Sequence, residues 1–188
     1  MLMTQPKGWH SRGYLPHFDS PETIQFVTFR LADSLPRAVV ESLRLADDGI
    51  QQIDRELDSG LGECWLRDPE IASLVQDALL HSDGQRYRLL AWCLMPNHVH
   101  VVIDMLDGAN SLGSIVRSWK SFTARRANHR LGRSGSFWHP DYFDRYMRNE
   151  SQLNRTIEYV EQNPVKAGLV TAAIDWPWSS AHFRNDRS

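Results

Sequence analysis

Two histidines separated by one residue could bind a single metal ion. His98 and His100 flank Val99 in the segment WCLMPNHVHVVI. On a β-strand, residues i and i+2 point to the same face, so both imidazoles would project together while Val99 points into the core. Two strand histidines that only form hydrogen bonds are the alternative, because a His-x-His pair is a short pattern. A metal site would therefore need a third ligand and a reaction partner from elsewhere in the chain.

The last predicted helix offers a tyrosine and an asparagine for these roles. Tyr159 and Asn163 are four residues apart, so on a helix they lie one above the other and can present a phenol and an amide oxygen to one point. Both are expected to lie off the apolar stripe of that helix. Asn163 precedes Pro164 and could instead be only a helix C-terminal residue.

Together, these four side chains predict phosphoryl transfer to a tyrosine. Two imidazoles and an amide oxygen leave positions open on Mg²⁺ or Mn²⁺, which would polarise a phosphate oxygen, and imidazole ligation favours Mn²⁺ in affinity. A phenol has a reference pKa of about 10, so a metal or a base must help to remove its proton. Attack on phosphorus gives a phosphotyrosine ester, which retains the energy needed for resealing. Such chemistry breaks and rejoins DNA without ATP.

Basic residues near these candidates could hold a DNA backbone. Residues 112–133 contain six Lys or Arg and no Asp or Glu, which is typical of a helix that binds along a phosphate backbone. Trp119 and Phe122 within this helix could stack on unpaired bases, or they could form its buried face. The arginines near Tyr159 could hold the scissile phosphate or form a solvated basic face. Lys166 could reach the phosphate, or its positive charge could only complement the dipole at the helix C-terminus. The candidate DNA-binding residues are Arg117, Lys120, Arg125, Arg126, Arg130, Arg145, Arg148, Arg155 and Lys166.

The elements that must position these residues follow from hydrophobic periodicity and turn chemistry. Strands are predicted at 24–31, 86–94 and 98–105, an extended segment at 137–147, and helices at 36–57, 68–81, 111–131 and 150–163. The second and third strands should form an antiparallel hairpin around Pro96 and Asn97. This order predicts an α+β fold with one antiparallel sheet and helices on a face of it, compatible with a ferredoxin-like core.

The composition is that of one domain able to bury a core. The chain has 188 residues, 41% of them hydrophobic and 23% charged, which argues against a collagen-like or disordered protein. We expect a single domain over 1–188, with a core at about 13–170 and a C-terminal packing tail at 171–188. Cys64 and Cys93 are too few for a disulfide framework and fit a reducing compartment. The absence of a long apolar stretch predicts a cytoplasmic protein, nucleoid-associated when bound to DNA.

The net charge of −2 hides two unlike halves. Residues 1–85 carry seven basic and fourteen acidic side chains, whereas residues 86–188 carry fourteen basic and nine acidic ones. All the candidate metal, nucleophile and phosphate-binding residues fall in the basic half, so the overall charge does not argue against a nucleic-acid substrate. We expect the acidic N-terminal helices to face away from the DNA.

Five motifs in order resemble the single-tyrosine HUH transposases, and most of all their branch associated with repetitive extragenic palindromes (REP). They are MPNHVHVVI, a basic helix, SFWHPDYFDRYMRNE, YVEQNPVKAGLV and WPWSS, and the resemblance covers roughly 13–183. HUH denotes His, hydrophobic, His, which here is His98, Val99 and His100. The resemblance implies that Tyr159 is the nucleophile and that Asn163 is the third metal ligand.

The resemblance also implies a ferredoxin-like catalytic domain that uses Mg²⁺ or Mn²⁺ and recognises a DNA hairpin. Such a domain, usually a homodimer, cleaves the adjacent single strand and leaves a 5′-phosphotyrosine and a free 3′-hydroxyl. In some relatives the tyrosine helix completes the partner's site. Two alternatives stay open, a catalytically silent hairpin-binding protein that keeps the fold and a two-histidine metallohydrolase that uses water.

Overall fold

A four-stranded antiparallel sheet forms the centre of the protein. The computed structural model describes residues 8–11, 16–19, 23–36, 39, 49–106 and 111–186. Its strands are β1 (Gly8–Ser11), β2 (Pro16–Asp19), β3 (Ile24–Arg30), β4 (Tyr87–Leu94), β5 (His98–Met105) and β6 (Phe143–Tyr146). Its helices are α1 (Gly49–Asp58), α2 (Pro69–Leu80), α3 (Leu112–Arg130), α4 (Glu150–Lys166) and α5 (Ser180–Asn185), with 3₁₀ turns at Trp65–Arg67 and Ala173–Asp175.

The sheet has the strand order of a ferredoxin-like fold. The strands lie in the order β4-β5-β3-β6, and each neighbouring pair is antiparallel. Along the chain the core reads β3-α2-β4-β5-α3-β6, so each helix connects two strands that are not neighbours in the sheet. The predicted fold class and the hairpin between β4 and β5 are confirmed. The separate hairpin of β1 and β2 was not predicted from the sequence.

Helices cover both faces of the sheet, where the sequence predicted helices on a face of it. Val99, Val101 and Ile103 of β5 pack into the larger core with α2 and α3. Alternate residues of the same sheet, such as Val102 and Phe26, pack against α4 on the other side. Periodicity shows that a helix has one apolar side, but not which face of the sheet that side covers. His98 and His100 lie on the α4 face, because they alternate with the valines of the larger core.

Helix α4 continues past the proline that was predicted to end it. The prediction ended the helix at Asn163, but α4 extends to Lys166 with Pro164 inside it. A proline lacks one N–H donor, and in this last turn the helix still closes, with the Ala167 N–H donating to the Asn163 carbonyl at 2.9 Å. Gly168 follows with a φ of +69°, the left-handed conformation that ends a helix.

The C-terminal segment packs against the edge strand β4. Leu94 donates its N–H to the carbonyl of Trp178 at 2.9 Å, and Trp176 Nε1 donates to the carbonyl of Leu94 at 2.9 Å. Ser179 and Cys93 form an isolated antiparallel bridge. These contacts cover part of the β4 edge.

The predicted helix at 36–57 is described only in part. Residues 37, 38 and 40–48 lie outside the described residues, and α1 begins at Gly49, where the sequence predicted a break. Within the described part of the chain, no helix is long and apolar enough to cross a membrane.

Candidate active site

The two histidines of β5 point at each other from the α4 face of the sheet. Both side chains are fully buried. The Nε2 atoms of His98 and His100 lie 3.1 Å apart, and the ring centroids are separated by 4.7 Å. The i, i+2 spacing on a strand therefore brings two imidazole nitrogens to one point, as the sequence predicted.

A neighbouring asparagine fixes the tautomer of His98. The amide of Asn97 donates through Nδ2 to the carbonyl of Leu61 at 2.9 Å, so its Oδ1 faces His98 Nδ1, at 2.8 Å, as an acceptor. Nδ1 of His98 must then carry the hydrogen, which leaves the lone pair on Nε2. Burial, together with the nearby His100, holds the pKa of His98 well below its usual value. A neutral imidazole with a free Nε2 is the form that binds metal.

His100 is oriented from the adjacent strand. Thr28 lies opposite His100 in the β3–β5 register, and its hydroxyl is 2.8 Å from His100 Nδ1. The ring of Phe26 stacks on the imidazole with centroids 5.5 Å apart. These contacts hold the ring so that Nε2 points toward His98.

Asn163 of α4 completes a buried polar group. Its side chain is 1% exposed, and Nδ2 lies 3.3 Å from His100 Nε2. Its Oδ1 is buried and has no hydrogen-bond partner among the described residues. The sequence placed Asn163 off the buried stripe of the helix, but here the sheet presents histidines instead of apolar side chains, so a polar residue is buried against it. A 180° rotation of the amide would turn the oxygen toward the histidines.

Tyr159 lies one turn earlier on α4 and contacts the same histidine. Its half-buried ring meets His100 and Phe26 edge-on, with centroid distances of 5.6 Å and 6.2 Å. The ammonium of Lys166, which is exposed, lies 4.8 Å from the centre of the tyrosine ring. One chain therefore brings together the histidine pair, the asparagine and the tyrosine.

The donor atoms fit a divalent cation. Two ligands in neighbouring positions of an octahedral ion, each about 2.1 Å from it, are about 3.0 Å apart, close to the 3.1 Å between the Nε2 atoms. The buried, unsatisfied oxygen of Asn163 supplies a third donor. Cys93 lies opposite His100 in the sheet, and burial raises the pKa of its thiol well above the usual value. Among the described residues, no three His, Cys, Asp or Glu side chains form a metal-binding group by themselves.

Four basic candidates belong to β6, to α4 and to the segment between them. Arg145 lies opposite Phe26 in the β3–β6 register and therefore on the α4 face, with its guanidinium 5.9 Å from the Phe143 ring. The other three basic side chains are also exposed: Arg148, Arg155 and Lys166. A phosphate at the histidine pair could be approached by this group.

The basic residues of α3 lie on the opposite face of the sheet. Arg117, Arg125 and Arg126 are exposed there, separated from the histidines by the sheet itself. Lys120 instead donates to the carbonyls of residues 139–141 at 2.7 to 3.3 Å, and Arg130 pairs with two carboxylates at the start of α2. The α3 arginines can thus contact only DNA that extends well away from the histidine pair, while Lys120 and Arg130 connect elements of the fold.

Sequence reasoning missed three residues that shape this site. Thr28 lies on a predicted strand, and nothing in the sequence connects its hydroxyl with the histidines. Asn97 was interpreted only as a turn residue between two strands. The carboxylate of Asp58, at the end of α1, is 3.7 Å from His98 Nε2, a contact that the sequence did not predict. Only Asn97, which directly precedes the histidine motif, carried a usable signal, because metal-binding histidines commonly donate their second N–H to such a partner.

Comparison with known proteins places this geometry in a family. Residues 71–163 match the family described as "Transposase IS200 like". The REP-associated tyrosine transposase of Escherichia coli K12 is 28% identical over 96 residues, covering 51% of this chain and 55% of the relative. A relative from Haemophilus influenzae is 24% identical over 105 residues, covering 51% and 60%. The chain thus spans little more than half the length of these relatives.

A solved structure shares the fold. It is described as the REP-associated tyrosine transposase bound to a REP hairpin, and it matches with a TM-score of 0.60 at 19% identity, covering 91% of this chain and 84% of that one. The matched family segment runs from α2 to the asparagine of α4 and so contains His98, His100 and Tyr159. Residues 71–163 of this chain thus match the IS200-like transposase family in sequence, and the chain shares the fold of a REP-associated tyrosine transposase.

Proposed function

We propose that this protein is a metal-dependent tyrosine transposase that cleaves and rejoins single-stranded DNA beside a hairpin. The observation that carries the proposal is the contact of Tyr159 with His100, whose Nε2 faces His98 and Asn163. A nucleophile and three potential metal ligands thus lie together on one face of the sheet. The names of the E. coli relative and of the structural neighbour support the same reading.

The chemistry follows from the roles of the four side chains. His98 and His100, with Asn163, would hold Mg²⁺ or Mn²⁺, which when bound polarises a phosphate oxygen and stabilises the charge that develops on it. Tyr159 attacks phosphorus: the bond from its phenolic oxygen to phosphorus forms, the bond to the 3′-oxygen breaks, and the leaving oxygen takes up a proton. The 3′-hydroxyl of a second strand can reverse this step, so the phosphotyrosine ester conserves the bond energy for rejoining.

Lys166 assists the tyrosine in this proposal. A cation above an aromatic ring is attracted by the electrons of that ring, and the 4.8 Å distance places the ammonium beside the phenol. Negative charge on the phenolate would strengthen the attraction. The same ammonium can also contact the phosphate, so one side chain would serve both reacting groups.

The substrate class follows from the basic side chains around the site. Arg145 and Arg148 each lie within 6 Å of an aromatic ring, at 5.9 Å from Phe143 and 5.5 Å from Tyr146. Aromatic rings beside guanidinium groups suit unpaired bases next to a phosphate backbone. We propose that Arg145 and the Phe143 ring, which lie on the α4 face, hold the single strand together with Arg155, while the hairpin extends beyond them; Arg148 instead stacks on Tyr146, which the register places on the opposite face. The site needs no second chain for its assembly, so the predicted homodimer would serve DNA binding rather than catalysis.

A covalent-adduct assay tests this function. The protein is incubated with Mn²⁺ and a pool of oligonucleotides that carry a hairpin, randomised single-stranded flanks and a fluorophore at the 3′ end. Cleavage through a 5′-phosphotyrosine attaches the labelled fragment to the protein, which then migrates as a fluorescent band on a denaturing gel. Tyr159→Phe and His98→Ala should abolish the band, whereas Tyr146→Phe, the same change on nearby β6, should keep it.

The two alternatives give different results in this assay. A silent hairpin-binding protein would retard the oligonucleotides on a native gel and form no adduct with any member of the pool. A metallohydrolase that uses water would cleave without an adduct, and its cleavage would survive Tyr159→Phe.

A further inference from the structure

Asp58 lies next to the nitrogen through which His98 would bind metal. It is the last residue of α1, its Oδ1 is 3.7 Å from His98 Nε2, and its side chain is 25% exposed. Asp58 lies between β3 and α2 in the chain, so it reaches the histidines from a helix inserted in the first strand-to-helix connection of the ferredoxin-like core.

The atoms that meet at this point are all electron-rich. The tautomer set by Asn97 leaves a lone pair on His98 Nε2, and this nitrogen faces both His100 Nε2 and the Asp58 carboxylate. In the tautomer of His100 whose Nδ1 donates to the Thr28 hydroxyl, both Nε2 atoms present lone pairs beside the carboxylate oxygen, and a cation between them would relieve their mutual repulsion. The arrangement therefore favours a positive ion at the point that they share.

The loop after α1 holds Asp58 in place. The preceding residue, Leu57, is 1% exposed and anchors the end of the helix. Gly62 lies so close to Asp33 that a Cβ on it would be 2.8 Å from the Asp33 carbonyl oxygen, and the neighbouring N–H of Glu63 donates to the Asp33 carboxylate at 3.0 Å. The carbonyl of Leu61 accepts the hydrogen bond from Asn97. The loop that carries Asp58 is thus bound to the same asparagine that orients His98.

We propose that Asp58 becomes the anionic ligand of the cation site when the ion binds, a role that rests on the proposed function of His98 and His100; without the ion, these three side chains do not form a metal-binding group by themselves. Imidazoles alone suit Zn²⁺ and other transition metals, whereas a carboxylate oxygen shifts a site toward Mg²⁺ and Mn²⁺. Asp58 also supplies negative charge that the two neutral imidazoles and the amide lack. It therefore raises the affinity for the hard cations that phosphoryl transfer uses. It also reduces the factor by which the site would bind Zn²⁺ more tightly than these cations.

Metal binding to the DNA-free protein tests this role. The dissociation constants of Mn²⁺ and Zn²⁺ are measured by calorimetry for the full chain, for Asp58→Asn and for Glu56→Gln, which makes the same charge change on an exposed residue of α1. We expect Asp58→Asn to weaken Mn²⁺ binding by about 10- to 100-fold and Zn²⁺ binding by a smaller factor. Glu56→Gln should change neither.

The outcomes separate this inference from the proposed function. If His98→Ala abolishes Mn²⁺ binding while Asp58→Asn binds as tightly as the unmodified chain, Asp58 is only a structural partner of His98 and the inference is overturned. If His98→Ala also binds Mn²⁺ normally, the proposed histidine site itself is wrong. Circular dichroism checks that each variant folds. Should Asp58→Asn fail to fold, Asp58→Ser replaces it, with the same expected loss and the same contradicting result.

Discussion

Thr28 offers a selective way to disturb the histidine site. Its hydroxyl forms a buried 2.8 Å hydrogen bond with Nδ1 of His100. Thr28→Val keeps the shape of the side chain and removes this bond, which leaves a buried imidazole nitrogen without its partner. Loss of such a bond in a buried site costs about 1 to 3 kcal/mol of unfolding free energy. Loss of an orienting partner of a metal-binding histidine weakens metal binding by about 10- to 100-fold.

A second buried threonine provides the matched control. Thr123 of α3 lies on the opposite face of the sheet, donates to the Trp119 carbonyl at 2.7 Å and accepts from Trp138 Nε1 at 2.8 Å. Thr123→Val therefore removes buried hydrogen bonds of similar strength, and its cost in unfolding free energy should equal or exceed that of Thr28→Val. It should leave the affinity for Mn²⁺ unchanged, because Thr123 contacts neither histidine.

Denaturant unfolding with and without Mn²⁺ measures both effects. At an Mn²⁺ concentration of about 100 times the dissociation constant, binding stabilises the folded protein by about 2.7 kcal/mol. A tenfold weaker site would leave about 1.4 kcal/mol at the same concentration. We expect the reduced value for Thr28→Val and the full value for Thr123→Val. Equal stabilisation of the two variants by Mn²⁺ would refute the orienting role of Thr28.

Three further predictions concern the core, the pH dependence and the DNA. Tyr87→Phe should lower the unfolding free energy by about 2 to 4 kcal/mol in urea titrations, because the buried hydroxyl donates to a carbonyl of α2 and accepts from Trp119 Nε1. Burial and nearby cationic side chains lower the pKa of His139 to about 4. In the unfolded chain this histidine binds its proton near pH 6.5, so the unfolding free energy should decrease as the pH is lowered from about 6.5 to 4. The decrease should be less steep in His139→Asn. Arg145→Ala should weaken binding of single-stranded DNA and reduce the slope of log affinity against log salt by about 0.7 in fluorescence anisotropy, whereas Arg125→Ala on the far face should change the slope less.

Local patterns predicted most of the elements that carry the site. The hairpin of β4 and β5 follows from two alternating segments around a Pro-Asn turn, and the structure begins β5 at His98, as predicted. The pairing of Tyr159 with Asn163 follows from helical spacing alone. These features depend on residues close in sequence, where periodicity is informative.

Long-range packing accounts for what the sequence did not reveal. The burial of Asn163 depends on which strand residues lie below α4, and Asp58 is 40 positions away from His98 in the chain. Lys120 looked like a phosphate-binding residue because it lies in a basic helix, but its ammonium reaches three backbone carbonyls of the segment before β6. Each of these outcomes depends on how distant elements meet, which hydrophobic periodicity does not encode.

The most direct test of the central claim is to locate the DNA on the protein. The adduct formed with Mn²⁺ and the 3′-labelled hairpin pool is digested with a nuclease and a protease, and the peptides are analysed by tandem mass spectrometry. Attack by Tyr159 predicts a nucleotide attached through its 5′-phosphate to this residue, and no modified peptide in Tyr159→Phe. A nucleotide on any other residue, or an adduct that persists in Tyr159→Phe, would contradict it.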